Sequence, residues 1–191
     1  PAPAVAANLH ALATSPRRLR LSLAGAGRDV LGYWWTDGRV AGSVVRDGAR
    51  CAVSAFAAPM LGGELLETLP DPDRPDSAEV VVPVDAFPVL AALEDLPAGA
   101  ADVVADATGV AESTVHEVAR WSADVEAVLL VTTVPPDPRA PAGALVWFLH
   151  RSGWWSARLG RLDGRRVAVL RPARRRDLVG WVGELTAGAW R

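Results

Sequence analysis

The feature that most constrains this chain is a pattern of three short apolar runs joined by tight turns and followed by an amphipathic stretch, and it occurs twice. In the first copy Tyr33-Trp34-Trp35-Thr36 runs into Asp37-Gly38, Asp47-Gly48 follows, and Cys51 to Phe56 leads on to Met60 to Leu69. In the second, Val146-Trp147-Phe148-Leu149 runs into Ser152-Gly153, Asp163-Gly164 follows, and Val167 to Leu170 leads on to Asp177 to Leu185. Asp-Gly or Ser-Gly between apolar runs signals a hairpin, because a turn twisted like its strands needs a positive φ that Gly adopts without a Cβ clash. Past the second turn the copies align without a gap, setting Cys51 on Val167, Val53 on Val169, Leu65 on Trp181 and Leu69 on Leu185. Between the turns the second copy is one residue longer. That predicts a bulge or a wider turn, since a one-residue slip sends every later side chain to the opposite face.

The flanks of the two copies also correspond. Residues 5–13, with Val5, Leu9 and Leu12, suggest a short helix that Pro16 ends before the alternating strand Leu19 to Leu23. In the second half Thr114 and Glu117 have the spacing of a capping box, which starts a helix at Thr114. Val115, Val118, Trp121, Val125 and Val128 then recur at helical spacing before the β-like run Val128 to Val131. Each copy thus reads helix, strand, meander, helix. Between them, Pro70 to Asp76 is a linker, because its prolines lack amide donors and restrict their predecessors. Glu79 to Val84 is a short β segment, an edge strand on account of Pro83. Asp85 to Leu96 and Ala98 to Ala107 are expected as short helices, and Pro135 to Pro141 as an exposed loop. The fold class expected is α+β, a mostly antiparallel central sheet from two pseudo-twofold-related repeats, flanked by helices. It is one domain over residues 1–191, with the first repeat at 5–69, joining segments at 70–111 and the second repeat at 112–187.

With half of its 191 residues hydrophobic, the chain can bury a core of its own. All 20 basic residues are arginine, and lysine, isoleucine and glutamine are absent, the signature of a GC-rich genome. Single arginines therefore say little about function. Net charge is −2, yet residues 64–126 carry 15 acids against Arg74 and Arg120, whereas residues 139–191 carry 11 arginines against Asp163, Asp177 and Glu184. Either the acidic middle docks on the basic C-terminal half, or the basic half meets an external polyanion or acidic partner. The lone Cys51 excludes an intramolecular disulfide, and its place in an alternating strand reads as a small core residue in a reducing compartment. The longest apolar run, Ala142 to Leu149, is far short of the ~20 residues of a membrane helix. No basic segment before an apolar stretch marks a secretory signal at Pro1. A cytoplasmic protein is expected.

No catalytic pattern stands out. His10, His116 and His150 are scattered, so no metal site is expected, and Gly25-Ala26-Gly27 lacks both the dinucleotide and the phosphate-loop signatures, so no cofactor is. Ser22 and Ser54 lie in no nucleophile elbow. Arg171 to Arg176 is a basic cluster able to meet phosphates, but it lacks interleaved aromatics, and its following helix presents Leu178, Trp181, Val182 and Leu185 as a buried stripe. Eight tryptophans against three phenylalanines is the more unusual feature. Adjacent strand residues point to opposite faces, so one of Trp34 and Trp35, and one of Trp154 and Trp155, lies outside the main core unless helices cover both faces. The expected partner-binding residues are Trp34, Trp35, Asp37, Gly38, Gly153, Trp154 and Trp155.

Four stretches together resemble the EspG family of type VII (ESX) secretion-associated proteins of actinobacteria. They are Arg39 to Gly48 before an alternating strand, Val80 to Ala86 after the Pro-rich linker, Gly109-Val110 before the capped helix, and the closing Arg165 to Pro172 before a helix. The resemblance implies two related halves forming a central sheet flanked by helical bundles, in a member shortened at its N-terminus. It further implies a non-catalytic cytosolic chaperone, monomer or weak dimer, whose partner is a secreted type VII substrate, PE–PPE-like or WXG100-like. A nucleic-acid-binding or regulatory domain using the arginine-rich C-terminal half is the alternative, and an enzyme whose site no motif reveals is a third.

Overall fold

The computed structural model describes residues 3–73, 75–84, 100–135, 137, 139 and 142–187. In chain order the elements are α1 (Pro3–Thr14), β1 (Arg17–Gly25), β2 (Arg28–Thr36), β3 (Val40–Asp47), β4 (Arg50–Ala57), α2 (Leu61–Glu67), β5 (Val80–Pro83), α3 (Ala100–Thr108), α4 (Glu112–Ala123), β6 (Val125–Thr133), β7 (Ala144–His150), β8 (Gly153–Leu162), β9 (Arg165–Pro172) and α5 (Asp177–Ala187). The class is α+β. The strands form a nine-stranded sheet in the order β4-β3-β2-β1-β6-β7-β8-β9-β5, and every described pairing is antiparallel. Pro83 ends the edge strand β5, where a missing amide donor costs no ladder bond. The expected helix from Asp85 to Leu96 lies outside the described residues.

Two compact units can be distinguished, one of residues 1–72, 127–146 and 174–191, the other of 73–126 and 147–173. In the first, β1 pairs with both β2 and β6, and the pleat sorts its side chains. Leu19, Leu21 and Leu23 stand on one face beside Trp34, Gly32 and Val30 of β2 and, on the other side, Val131 and Leu129 of β6. All are buried. Helix α5 lies against β1 and against α2, burying Leu178 and Val182 along with Leu61 and Leu65. Gly62 of α2 is small by necessity, since a Cβ there would come within 2.6 Å of the Val179 side chain. On the opposite face α1 packs across β2, β3 and β4. The buried Asn8 accepts from the Trp35 indole N–H at 2.8 Å and donates to the Ser54 carbonyl.

Trp34 and Trp35 are each accommodated by a strand glycine. The Trp34 ring folds over Gly32, and the Trp35 ring covers Gly42, its cross-strand partner. At the end of α2 the Arg175 guanidinium donates to the Leu66 and Leu69 carbonyls at 3.0 and 3.1 Å and to Asp71 at 2.7 Å. Leu66 is in the last turn of α2, where its carbonyl also accepts from the Leu69 amide at 2.9 Å, and Leu69 lies two residues past the helix end, so the guanidinium ties the helix terminus to the segment that leaves it.

In the second unit β5 pairs with β9 and β9 with β8, and α4 packs on β5 and α3. Gly109, at φ +64°, makes the turn between α3 and α4. Val115, Val118 and Trp121 form the buried face of α4. This helix starts at Glu112 after Ala111, with no side-chain cap. Thr114 therefore sits inside the first turn, its amide bonded to the Ala111 carbonyl, and the expected capping box is not formed. Val125 and Val128 belong to β6, not to the helical stripe.

The described β8–β9 ladder shows no bulge. Strand β3 has 8 residues and β8 has 10, yet each pairs over eight positions with the strand that follows it, the two extra residues, Gly153 and Trp154, coming first in β8. The register of β8 on β9 runs unbroken from Trp155↔Pro172 to Leu162↔Arg165. Asp163 and Gly164, at φ 49° and 80°, form a two-residue turn, whereas in the first meander Asp47 pairs with Arg50, which moves the turn onto Gly48 and Ala49. Cys51, expected in the core, is exposed, because it faces outward on β4 at the sheet edge.

The Gly32 contact makes a stability prediction. Gly32→Ala forces a methyl into the Trp34 indole and should cost about 1–3 kcal/mol as overpacking in urea unfolding, despite the usual benefit of replacing Gly in a strand. Gly32→Ala combined with Trp34→Phe should be less destabilised than the sum of the two single changes.

Candidate partner-binding surface

All four paired tryptophans are buried: Trp34 is 0%, Trp35 6%, Trp154 1% and Trp155 2% exposed. The expectation that one of each pair faces solvent is thus overturned, since both faces of the sheet are covered at these positions. On β2, the leucine-lined face takes Trp34 and the Asn8 side of α1 takes Trp35. In the second unit Trp155 meets Trp121 edge-on at 5.9 Å, and Trp154 lies 6.2 Å from Trp147.

The turns behave differently. Asp37 and Gly38 are exposed as expected, with Asp37 Oδ1 accepting from the amides of Arg39 and Val40 at 2.8 and 2.9 Å. Those two bonds hold the Asp37 carboxyl below its ordinary pKa of 3.8. Gly38 also lines a hollow of about 240 Å³ together with Leu61, Val179 and Val182. Gly153 is not on a rim. It is the first residue of β8, buried, at φ +127°, and a Cβ there would meet the Asp73 carbonyl and Pro75. The linker's own backbone covers it.

The β7–β8 turn holds a polar group that sequence spacing did not reveal. His150 Nδ1 accepts from the Ser152 amide at 3.0 Å and meets Ser152 Oγ at 2.8 Å, while Nε2 stands 4.0 Å from Asp124. The ring stacks on Trp121 at 5.8 Å, and its side chain is 12% exposed. Aspartate, histidine and serine are thus in sequence. However, the same nitrogen that would serve as base is already held by the serine's own amide, so the group pins the turn to the end of α4. Burial lowers the His150 pKa below 6.5, outweighing the opposite pull of Asp124 and Glu126.

A second cluster joins Asp102 of α3 with Glu112 and His116 of α4, ligand atoms within 4.8 Å of one another and all exposed. Its sequence signal is the i,i+4 pair Glu112 and His116, one helical turn apart. The basic cluster is partly consumed by the fold. Arg171 pairs with Glu79 at 2.8 Å, and Arg175 caps α2.

What the structure does present is an open sheet face in the first unit. Opposite the buried leucines, the register lines up three rows: Tyr33, Arg20 and Thr132; Leu31, Ser22 and Leu130; Asp29, Ala24 and Val128. None of these nine residues is buried, and Val128 and Leu130 are 40% and 39% exposed. Tyr33 continues the face into a hollow of about 260 Å³ against α1, lined by Leu9, Leu12, Ala13, Arg18 and Val134. Leu9 is itself 44% exposed. The sequence trace of this face is that β6 is apolar on both parities, with Ala127, Leu129 and Val131 inside and Val128 and Leu130 outside. A strand apolar on both faces needs a second cover.

No protein-family model matches the sequence, and no curated protein matches it. Among solved structures, the chain is similar to the Mycobacterium tuberculosis type VII secretion system chaperone EspG5, seen in complex with a PE25–PPE41 dimer. The TM-score is 0.64 at 15% identity, covering 99% of this chain and 79% of that one. What the two share is the fold. No described helix is long and apolar enough to cross a membrane.

The His150 environment predicts a pH dependence. With its folded pKa below 6.5, the unfolded chain binds the proton that the folded chain refuses, so this residue's contribution falls as pH drops through the ordinary histidine range. The unfolding midpoint should decrease between about pH 7.5 and 5.5, and His150→Phe, which keeps the stack on Trp121, should lose that part of the slope.

Proposed function

We propose that this chain is an EspG-like chaperone or adaptor, cytosolic and non-catalytic, that binds a secreted substrate of a type VII system. The observation that carries this reading is the shared fold over 99% of the chain with a chaperone whose structure holds a PE25–PPE41 dimer. The residues supply a surface for it. The rows around Leu130 and Val128, the hollow behind Tyr33 and the exposed Leu9 form a mixed field, apolar on its outer strands with Arg20 and Ser22 along its central strand and Asp29 at its edge. An amphipathic helix of a PE–PPE-like or WXG100-like substrate has the matching shape and chemistry. Among the residues expected from sequence, Asp37 and Gly38 remain accessible, but Gly38 opens onto the hollow beside α2 and α5 and not onto this face, and the tryptophans support the sheet from within.

The two helix–strand–meander–helix series, residues 5–69 and 112–187, are read here as an internal duplication within one domain. The strand order supports it, because β4-β3-β2-β1 and β6-β7-β8-β9 run outward from the β1–β6 pair. The alternative of a nucleic-acid-binding domain is weakened by Arg171 and Arg175, whose guanidinium groups are engaged within the chain.

The test is co-expression with each PE–PPE-like or WXG100-like pair encoded in the source genome, followed by size-exclusion chromatography. A stable complex with one pair is expected. Val128→Glu with Leu130→Glu, at sites already open to solvent, should leave circular dichroism unchanged and weaken the complex at least ~10-fold, as desolvating two carboxylates would. If no pair co-elutes, the chaperone reading fails; if the complex forms and the double variant binds like the parent, the function stands and this surface does not.

A further inference from the structure

The β8–β9 hairpin runs on beyond its packed base. Trp155, Ala168 and Leu170 are buried, but every residue from Arg158 through Arg166 is exposed, with Leu159 at 70% and Leu162 at 54%. Its ladder has the same eight pairs as the β3–β4 ladder, and the two extra residues of β8, Gly153 and Trp154, lie at its buried base, so the exposed tip is set apart by what covers it rather than by added length. Leu159 pairs with Ala168, Arg161 with Arg166, and Leu162 with Arg165. The pleat therefore puts Leu159, Arg161 and Arg166 on one face and Arg158, Leu162 and Arg165 on the other. Each face of the tip carries one leucine and two arginines, and Asp163 is the one acid between Arg158 and Arg166.

We propose that this tip is a peripheral membrane contact that enters the headgroup layer of an anionic bilayer end-on. The deciding feature is that both faces have the same chemistry. A protein groove or a nucleic acid engages one face of a hairpin and leaves the opposite leucine in water, whereas an interfacial layer surrounds a tip on all sides. Leucines at the acyl boundary and guanidinium groups at the phosphates match that layer, with the arginine stems lying along apolar surface and their heads reaching outward. The segment has no aromatic on which a base would stack. The Arg165 guanidinium lies beside Gly109, in a turn flanked by the exposed Asp102, Asp106 and Glu112. Those acids offset part of the Arg165 charge and repel anionic lipid, which limits how deeply the tip enters and makes the contact reversible and salt-sensitive.

The experiment is co-sedimentation of the full chain with vesicles of phosphatidylglycerol and phosphatidylcholine, against vesicles of phosphatidylcholine alone. Binding to the anionic vesicles is expected to exceed that to the neutral ones at least tenfold and to fall in 0.5 M salt. Leu159→Ser with Leu162→Ser, both at exposed positions, should reduce it severalfold with circular dichroism unchanged. In a Cys51→Ser background, Leu162→Cys carrying an environment-sensitive fluorophore should brighten on anionic vesicles. Absence of binding, equal binding to neutral vesicles, or anionic binding that ignores the leucine changes and leaves the fluorophore dark would each overturn the proposal. So would tight binding of a single-stranded oligonucleotide through the same arginines without lipid binding. None of these readouts depends on a secretion substrate.

Discussion

The pairing of β1 with both β2 and β6 is the constraint on which the first unit depends. Three leucines at alternate positions of one strand define its inner face, and the register on either side aligns Val30, Gly32, Trp34, Leu129 and Val131 with them. A slip of one residue would put those leucines into water and Arg18, Arg20 and Ser22 into the core, so the apolar pattern and the ladder enforce the same arrangement. α1, α2 and α5 pack on a sheet whose two faces have been made distinct by that register.

Large aromatics complete the interior, and they do so through their neighbours' smallness. Trp34 over Gly32 and Trp35 over Gly42 exchange strand propensity for ring area. A buried asparagine then satisfies the Trp35 indole while tying α1 to β4. A single arginine closes α2 by donating to the carbonyls of Leu66 and Leu69. The same logic governs the second unit, where Trp121 packs against Phe148, His150 and Trp155, and Asp124 receives the amide of Arg151. Such polar ties at the ends of elements fix orientation where apolar burial alone is non-directional.

Function follows from what this packing leaves open. Helix α1 covers β2 to β4, while the rows through Arg20, Ser22 and Ala24 stay accessible, with Leu130 and Val128 among them. A sheet with one face finished and part of the other unfinished leaves apolar side chains at the surface, where the proposed partner would dock. The hairpin beyond Ala168 is a different kind of feature, narrow, basic and apolar on both sides, and it suits a different neighbour.

The alternation Leu19 to Leu23, the prolines from Pro70 to Pro75 and the turn glycines by themselves determined the α+β class, the strands, the linker and the edge position of β5, because those signals are local and steric. The EspG resemblance read from the order of elements agrees with the shared fold. Element ends were less legible: α4 begins two residues before Thr114, since backbone bonding at Ala111 wins over the hydroxyl cap. Exposure was decided by the tertiary structure. Adjacent tryptophans point to opposite faces whatever the fold, but only packing shows that Asn8 and α1 stand over Trp35, that Asp73 and Pro75 cover Gly153, and that nothing described buries Leu130. A residue's local conformation depends on its neighbours in sequence, whereas its access to a partner depends on side chains far along the chain, and that information enters only when the chain has closed on itself.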